Sequence, residues 1–306
     1  MTLQDYQVQL PDGTIVGAGT SVGLKSIDGL RSLPDQRGGD ASRGQQDGEL
    51  SGMTFLAGRT VTFEFSLLAP PEGLETAIRT VSRNWQNVKD PSSRAIIGGQ
   101  YLANLATAGS LPTSAVQVQL PGRDSPLFLL GRPARFKVPV DDDYQYGKAT
   151  ITCEWKVPDG VLYDAAVASG SCGLGDPISG LRFPETPPFT FGSSTGGSMV
   201  LTNAGDYDAF PLFAINGPVS RPKITLSSTG EFLRLNTTLA SGDILLVDMQ
   251  AKTVTLNGAN RNIDVAPGSS FFTLPPGDST IGFISDDTTA VAGQLNGFAL
   301  PTYSTI

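Results

Sequence analysis

Ser241 to Ile284 reads SGDILLVDMQAKTVTLNGANRNIDVAPGSSFFTLPPGDSTIGFI. It predicts a strand over Asp243–Asp248, a turn, a second strand over Thr253–Leu256 and an Asn257-Gly258 turn. After an Asn/Arg loop, an apolar strand at Phe271–Leu274, a Pro-Pro-Gly bend and a strand from Thr280 to Ile284 follow. Turn residues recurring at such short intervals are those of an antiparallel β-sandwich.

Working outward, Ser198–Asn203, Ala209–Asn216, Lys223–Ser227 and Glu231–Leu235 extend the same strand-and-turn rhythm towards the N-terminus, with no useful helical period. Ahead of them, SGSCGLGDPISG and ETPPFTFGSSTGGS have the Gly, Ser and Pro content of a linker. A domain boundary is therefore expected near 163–178. The chain divides into an N-terminal domain over 1–163, a connection over 164–197 and a C-terminal sandwich over 198–306. Two domains also suit 306 residues, since one domain typically takes roughly 100–200.

In the first domain, Val8–Leu10 and Ile15–Val16 flank a Pro11-Asp12-Gly13 turn. Val61, Phe63 and Phe65 alternate with Thr62, Glu64 and Ser66, the period-two pattern of a half-buried strand. Leu74, Ile78, Val81, Trp85 and Val88 then fall on one helical face, predicting a helix over about 72–89 that ends before Asp90-Pro91. Trp85 is assigned to core packing. Tyr101 to Leu105 suggests a helical turn; Val116 to Leu120, Phe128–Leu130 and Phe136–Val140 suggest strands. The clearest alternation runs from Lys148 to Val157, placing Cys153 beside Trp155 on a buried face where a thiol acts as a small hydrophobe. The fold class is thus mainly β: an α+β N-terminal domain of sheet with one helix, then an antiparallel β-sandwich.

Between Asp28 and Gly58 the apolar content collapses. Arg31, Arg37 and Arg43 interleave there with Asp35, Asp40 and Asp47. The plain reading is a solvated loop. The sharper one is an arm or extended hairpin whose partners lie on a neighbouring subunit, since so long a loop is uncommon in a compact domain. Arg31, Arg37, Asp40, Arg43 and Asp47 are the candidate interface residues.

Composition removes much chemistry. Histidine is absent, which excludes Ser-His-Asp and Cys-His nucleophiles and His-containing zinc sites. Net charge is −8, and residues 161–306 hold 6 Lys/Arg against 12 Asp/Glu, a balance that repels nucleic-acid phosphates. No apolar run reaches the roughly 18–20 residues of a membrane span, and the N-terminus lacks the basic start and apolar core of a secretory signal. Two cysteines, Cys153 and Cys172, suit a reducing compartment.

Other constellations carry less. Asp141-Asp142-Asp143 lacks the ligand spacing of a calcium loop and reads as a charged turn. Asp206, Asp208 and Glu231, or Asp243 and Asp248, would supply a glycosidase pair only if they faced each other across a cleft. Gly17-Ala-Gly19-Thr lacks the third glycine and the helix of a phosphate-binding turn. Asn236-Thr-Thr238 has meaning as a glycosylation acceptor only in a secreted chain. Arg261, in the turn Asn257 to Asn262, is expected to be exposed. Tyr207, Phe210 and Phe213 are the aromatic cluster a sugar-binding face would need. No catalytic residue, metal ligand or cofactor is assigned.

The C-terminal third resembles the distal tail proteins of long-tailed bacteriophages. The likeness rests on Asn216-Gly-Pro218 followed by Arg221-Pro-Lys-Ile-Thr, on Ala240-Ser-Gly242-Asp243 leading into Leu-Val-Asp248, and on Thr253-Val-Thr-Leu-Asn-Gly258. Phe271-Phe-Thr-Leu-Pro-Pro-Gly277 and Ile281-Gly-Phe283 continue it in the same order, over roughly 200–285. In the N-terminal half, the Gly58-Arg59 strand opening, the helix and Pro158-Asp-Gly-Val-Leu-Tyr163 after Trp155 are consistent with it. The stretch 28–58 is longer than in shorter members.

The resemblance implies an N-terminal domain that closes into a ring, typically a hexamer, and a galectin-like C-terminal domain projecting outward. Its partners would be copies of itself, the tail tube protein and tail tip or baseplate proteins, with an axial passage for DNA. Its place would be the distal end of the virion tail, after synthesis in the host cytoplasm. A host glycan is the alternative partner, but topology alone does not transfer sugar binding.

Overall fold

A computed structural model describes residues 3–86, 114–174, 197–287 and 292–306. The expected end of the helix at Asp90-Pro91, the turn at Tyr101 to Leu105 and much of the 164–197 connection lie outside them. The chain forms two compact units, Met1–Ala166 with Thr302–Ile306, and Val167–Pro301.

The first unit is built on an antiparallel sheet. Its strands run in the order Ile15–Gly17, Gln7–Gln9, Ser114–Gln119, Leu127–Lys137, Lys148–Val157, Arg59–Leu68 and Val22–Asp28. Period-two patterning sets the register: Phe65 sits opposite Ile151, Phe63 opposite Cys153 and Val61 opposite Trp155, all fully buried. A one-residue slip would turn every one of them to solvent. The two strands predicted at Phe128–Leu130 and Phe136–Val140 are instead one long strand, Leu127–Lys137, whose register shifts between Pro133 and Arg135. Proline lacks the N–H needed for continuous pairing, so the ladder breaks locally while the strand continues.

The helix spans Leu74–Gln86, entered through a Pro71–Gly73 turn. Glu75 lies in its first turn and Arg83 in its last, matching the helix dipole, and Arg79 pairs with Glu75 one turn back at 2.9 Å. Leu74, Val81 and Trp85 are its buried residues. Trp85 meets Phe63 and Trp155 edge-on, with ring centroids 5.7 and 5.4 Å apart, so this helix is fastened to the sheet through an aromatic core. Asp142–Tyr146 forms the charged turn ahead of Lys148–Val157, where Asp143 pairs with Lys148 at 2.9 Å.

Among its described residues the second unit has two larger antiparallel sheets and a short pairing of Val219–Ser220 with Thr238–Leu239. One orders Ala168–Gly173, Gln294–Ala299, Leu212–Asn216, Ile244–Asp248, Thr253–Leu256 and Ala259–Asn260. The other orders Ser198–Asn203, Gly277–Ile284, Lys223–Leu226 and Phe232–Arg234. Their inner faces share one apolar core, including Leu201, Phe213, Leu245, Val247, Ile281 and Phe283. Phe271–Leu274, predicted as a strand, is joined only by the bridge of Leu274 to Ala209. Its alternate residues Phe272 and Leu274 are nevertheless buried, so the apolar signal reflects core filling rather than pairing.

Two segments fall elsewhere than expected. Ala168–Gly173, inside the stretch assigned to a connection, is an edge strand paired along its length with Gln294–Ala299. Thr302–Ile306, assigned to the C-terminal domain, belong to the first unit, where Thr302 and Tyr303 pair with Tyr163 and Leu162.

Candidate subunit interface

The stretch 28–58 folds as a narrow hairpin arm. Gln36–Gly38 pairs with Thr54–Leu56, and nearer the tip Ala41–Ser42 pairs with Glu49–Leu50. Its root is closed by the Ala57 N–H donating to the Asp35 carbonyl at 2.7 Å. Its middle is held by the Gly52 N–H donating to the Asp40 carboxylate at 2.8 Å. Gly39 and Gly52 face each other so closely that a Cβ on Gly52 would lie 2.5 Å from the Gly39 carbonyl oxygen. The tip turns through Gln45 and Gly48, both at positive φ.

Of the five candidate interface residues, Arg37 lies in the first arm strand opposite Phe55, and Asp40, Arg43 and Asp47 lie further towards the tip. Arg31 sits below the arm, where its carbonyl accepts from the Thr305 hydroxyl at 3.5 Å. All five are exposed, and none takes part in the ion pairs found among the described residues. Sequence reading saw charge alone here. The arm also holds Leu33, Leu50, Met53 and Phe55 with 68, 57, 84 and 58% of their surface exposed. Their irregular spacing hid them, because no helix or long strand places them in a periodic pattern.

The same unit contains a recess. Val22–Asp28 ends the sheet order, and a groove of about 640 Å³ runs beside it. Leu24, Ile27 and Leu30 line it from that side, and Tyr6, Leu120 and Pro121 from another. Lys25, Asp28 and Arg31 also line it. Lys25 is engaged by Glu64 at 3.1 Å, an ion pair that with the Ser26 hydroxyl holds the Glu64 carboxyl below its ordinary range.

Four of the five carboxylates that a glycosidase pair would draw on have structural tasks. Asp243 accepts from the Ala240 N–H at 2.8 Å and from Asn257 at 2.9 Å. Asp248 accepts from the N–H groups of Gln250 and Ala251, each at 2.9 Å. Asp208 accepts from the Thr273 hydroxyl and Glu231 from the Thr229 hydroxyl. Among the described residues no cluster of three or more acidic, Cys or His groups is placed to hold a metal. No helix among them is long and apolar enough to cross a membrane.

The aromatic cluster for sugar binding does not form one face. Phe213 is fully buried and packs on Phe272 at 6.0 Å, while Tyr207 and Phe210 are half-buried. Arg261, expected to be exposed, is half-buried and turned back onto Asp264 at 2.5 Å. Gly17 and Gly19 form a tight turn whose N–H and carbonyl groups are met by the Thr20 hydroxyl, leaving no open phosphate cradle. Cys153 and Cys172 are buried free thiols, and burial raises both above the ordinary thiol value.

Comparison with known proteins bears on the second unit most directly. Residues 204–293 match the family described as siphovirus-type tail component, C-terminal domain. This agrees with the resemblance to distal tail proteins read from the sequence. Among solved structures, the chain is similar to the Dit protein (gp 19.1) of phage SPP1, described as a paradigm of the hub adsorption apparatus in Gram-positive infecting phages. Identity is 14%, the TM-score is 0.60, and 98% of this chain and 99% of that one are covered, so the likeness is one of fold. It is also similar to a chain of the phage P2 baseplate in its activated conformation with Ca, at 9% identity and a TM-score of 0.47, over 96 and 97% of the two chains. No curated protein matches.

Proposed function

We propose that this chain is a structural protein of a long-tailed phage, a hub at the distal end of the tail. The first unit closes into a ring, a hexamer, between the tail tube protein and the tip or baseplate proteins, and leaves an axial passage for DNA. The chain works by self-assembly and docking in the virion and catalyses no reaction.

The observation that carries this reading is the family match over 204–293 in a chain whose fold follows the SPP1 protein along almost its whole length. The arm supports it: an exposed hairpin whose charges form no ion pair among the described residues, and whose apolar side chains are uncovered, has the makings of a contact between molecules. A ring requires different patches on each subunit to meet head to tail.

Native mass measurement and negative-stain imaging of the purified chain test the reading. A closed ring with a central hole supports it. A chain that stays monomeric at high concentration, both alone and with tail tube and tip proteins, removes it. Reversing the arm charges, Arg37→Glu with Arg43→Glu, should weaken the ring and leave the subunit folded.

A further inference from the structure

We infer that the arm of one copy seats in the groove beside Val22–Asp28 of the next copy. The inference rests on the ring reading and deepens it by naming both halves of the contact. Three observations converge on it.

The arm is two stacked pairs of short strands, with no third strand paired to them among the described residues. An isolated hairpin is marginally stable in water, so an arm holding Leu50, Met53 and Phe55 in the open gains most from a surface that covers them. Each buried side chain of this kind contributes through the apolar area it removes from water.

The groove is the matching shape. It is a recess lined by Leu24, Ile27, Leu30, Leu120 and Pro121 at a free sheet edge. The arm of the same chain does not fill it, because the apolar arm residues remain more than half exposed. A projecting arm and a recess are unlike patches, so one contact between two copies covers both. Such a head-to-tail contact repeats until rotation closes it.

Charge agrees. Between Gln36 and Leu56 the arm carries Asp40, Asp47 and Glu49 against Arg37 and Arg43. Lys25, Asp28 and Arg31 line the groove, and Lys25 is already engaged by Glu64 at 3.1 Å. Arg31 is in no ion pair among the described residues and is the groove cation placed to pair with Asp47 or Glu49 of a neighbour's arm, while Arg37 and Arg43 remain to meet acidic groups of that neighbour.

Complementation between two full-length variants tests the inference. One has a disabled arm, Met53→Ser with Phe55→Ser. The other has a disabled groove, Leu24→Glu, with Tyr6→Asn and Pro121→Glu as a gentler second version confined to less buried positions. Size-exclusion chromatography with light scattering reads the mass, and circular dichroism confirms folding. Each variant alone should be monomeric where the unmodified chain forms rings. An equimolar mixture should stop at dimers, because each pair retains one intact arm facing one intact groove. Rings formed by both groove variants would overturn this inference and leave the ring reading standing. Monomers that fail to pair on mixing would overturn it as well. An unmodified chain that never assembles, even with tail tube and tip proteins, would remove the ring reading and this inference with it.

Discussion

Arg59 donates from its Nη2 to the carbonyl oxygen of Ser304, 245 residues further along the chain. The same guanidinium donates from Nε to the Gly160 carbonyl at 2.7 Å and from Nη1 to those of Gly29 and Leu30 at 3.3 and 3.4 Å. One buried side chain thereby gathers the end of the edge strand, a turn after Val157 and the C-terminal residues. A planar fork can bridge several acceptors at once, which a single ammonium cannot.

Removing that fork leaves several buried carbonyls without their donor. Arg59→Ala should cost about 3 kcal/mol of stability, towards the large end for a point substitution. Arg59→Lys should recover part of it. Thermal melting gives the size of the effect, and amide exchange should show residues 302–306 losing protection before the central strands. Unchanged protection there would show that the strand pairing to Leu162 and Tyr163 suffices without the arginine.

Gly131 is the tightest point of the long strand. A Cβ there would lie 2.1 Å from the Lys156 carbonyl oxygen and 2.8 Å from the indole nitrogen of Trp155. That indole donates to the Leu129 carbonyl at 3.0 Å. Gly131→Ala should therefore destabilise by roughly 2 kcal/mol, in the range of overpacked cores, and shift tryptophan emission. Gly39→Ala, where nothing lies within 4 Å of the new atom, should change stability by less than about 0.5 kcal/mol.

The buried thiols make the fold sensitive to alkali. Burial raises Cys172 from an ordinary 9.0 to about 11 and pushes Cys153 higher still. A raised folded value means that the thiols' contribution is complete below pH 9 and is lost as pH climbs through 11. Urea midpoints should fall over that interval, and Cys172→Ala should flatten the slope. At pH 8 iodoacetamide should label neither cysteine in the native chain and both in denaturant.

Asp248 titrates in the opposite part of the scale. Burial raises its carboxyl above 3.8, although the N–H groups of Gln250 and Ala251 partly counter it. With the folded value raised, its contribution is greatest below pH 3.8 and is lost as pH rises through the shifted value. Asp248→Asn keeps an oxygen for both N–H groups and removes the buried charge, so stability at pH 7 should hold or rise. Asp248→Ala leaves both donors unmet and should cost about 1–3 kcal/mol. Chemical denaturation at pH 4 and pH 7 distinguishes the three chains.

Much of this architecture could be read from residue order. Strict alternation located Lys148–Val157 to the residue, because its two faces see different solvents. Five apolar positions from Leu74 to Val88 located the helix, since their stripe must pack on something. Ala168–Gly173 was passed over because Ala, Ser and Gly give no face to read. Its strand exists through close approach, with a Cβ on Gly170 falling 3.0 Å from the Val200 carbonyl oxygen. The pairing of Tyr303 with Leu162 was equally hidden, as contacts between distant segments leave no local pattern. At the candidate interface, charge announced the arm, whereas its apolar content became visible only as exposure.

Leu162–Asp164 and Thr302–Tyr303 are neighbouring antiparallel strands, and Asp164 is fixed there by Arg123 at 2.6 Å while the same arginine lies 4.7 Å over the ring of Tyr303. The two ends of everything between them are thus held about one strand spacing apart, ~4.8 Å. Any polypeptide whose termini lie equally close can be grafted at that point without costing the host sheet a strand. Val167–Pro301 therefore leaves and re-enters the first sheet at a single point.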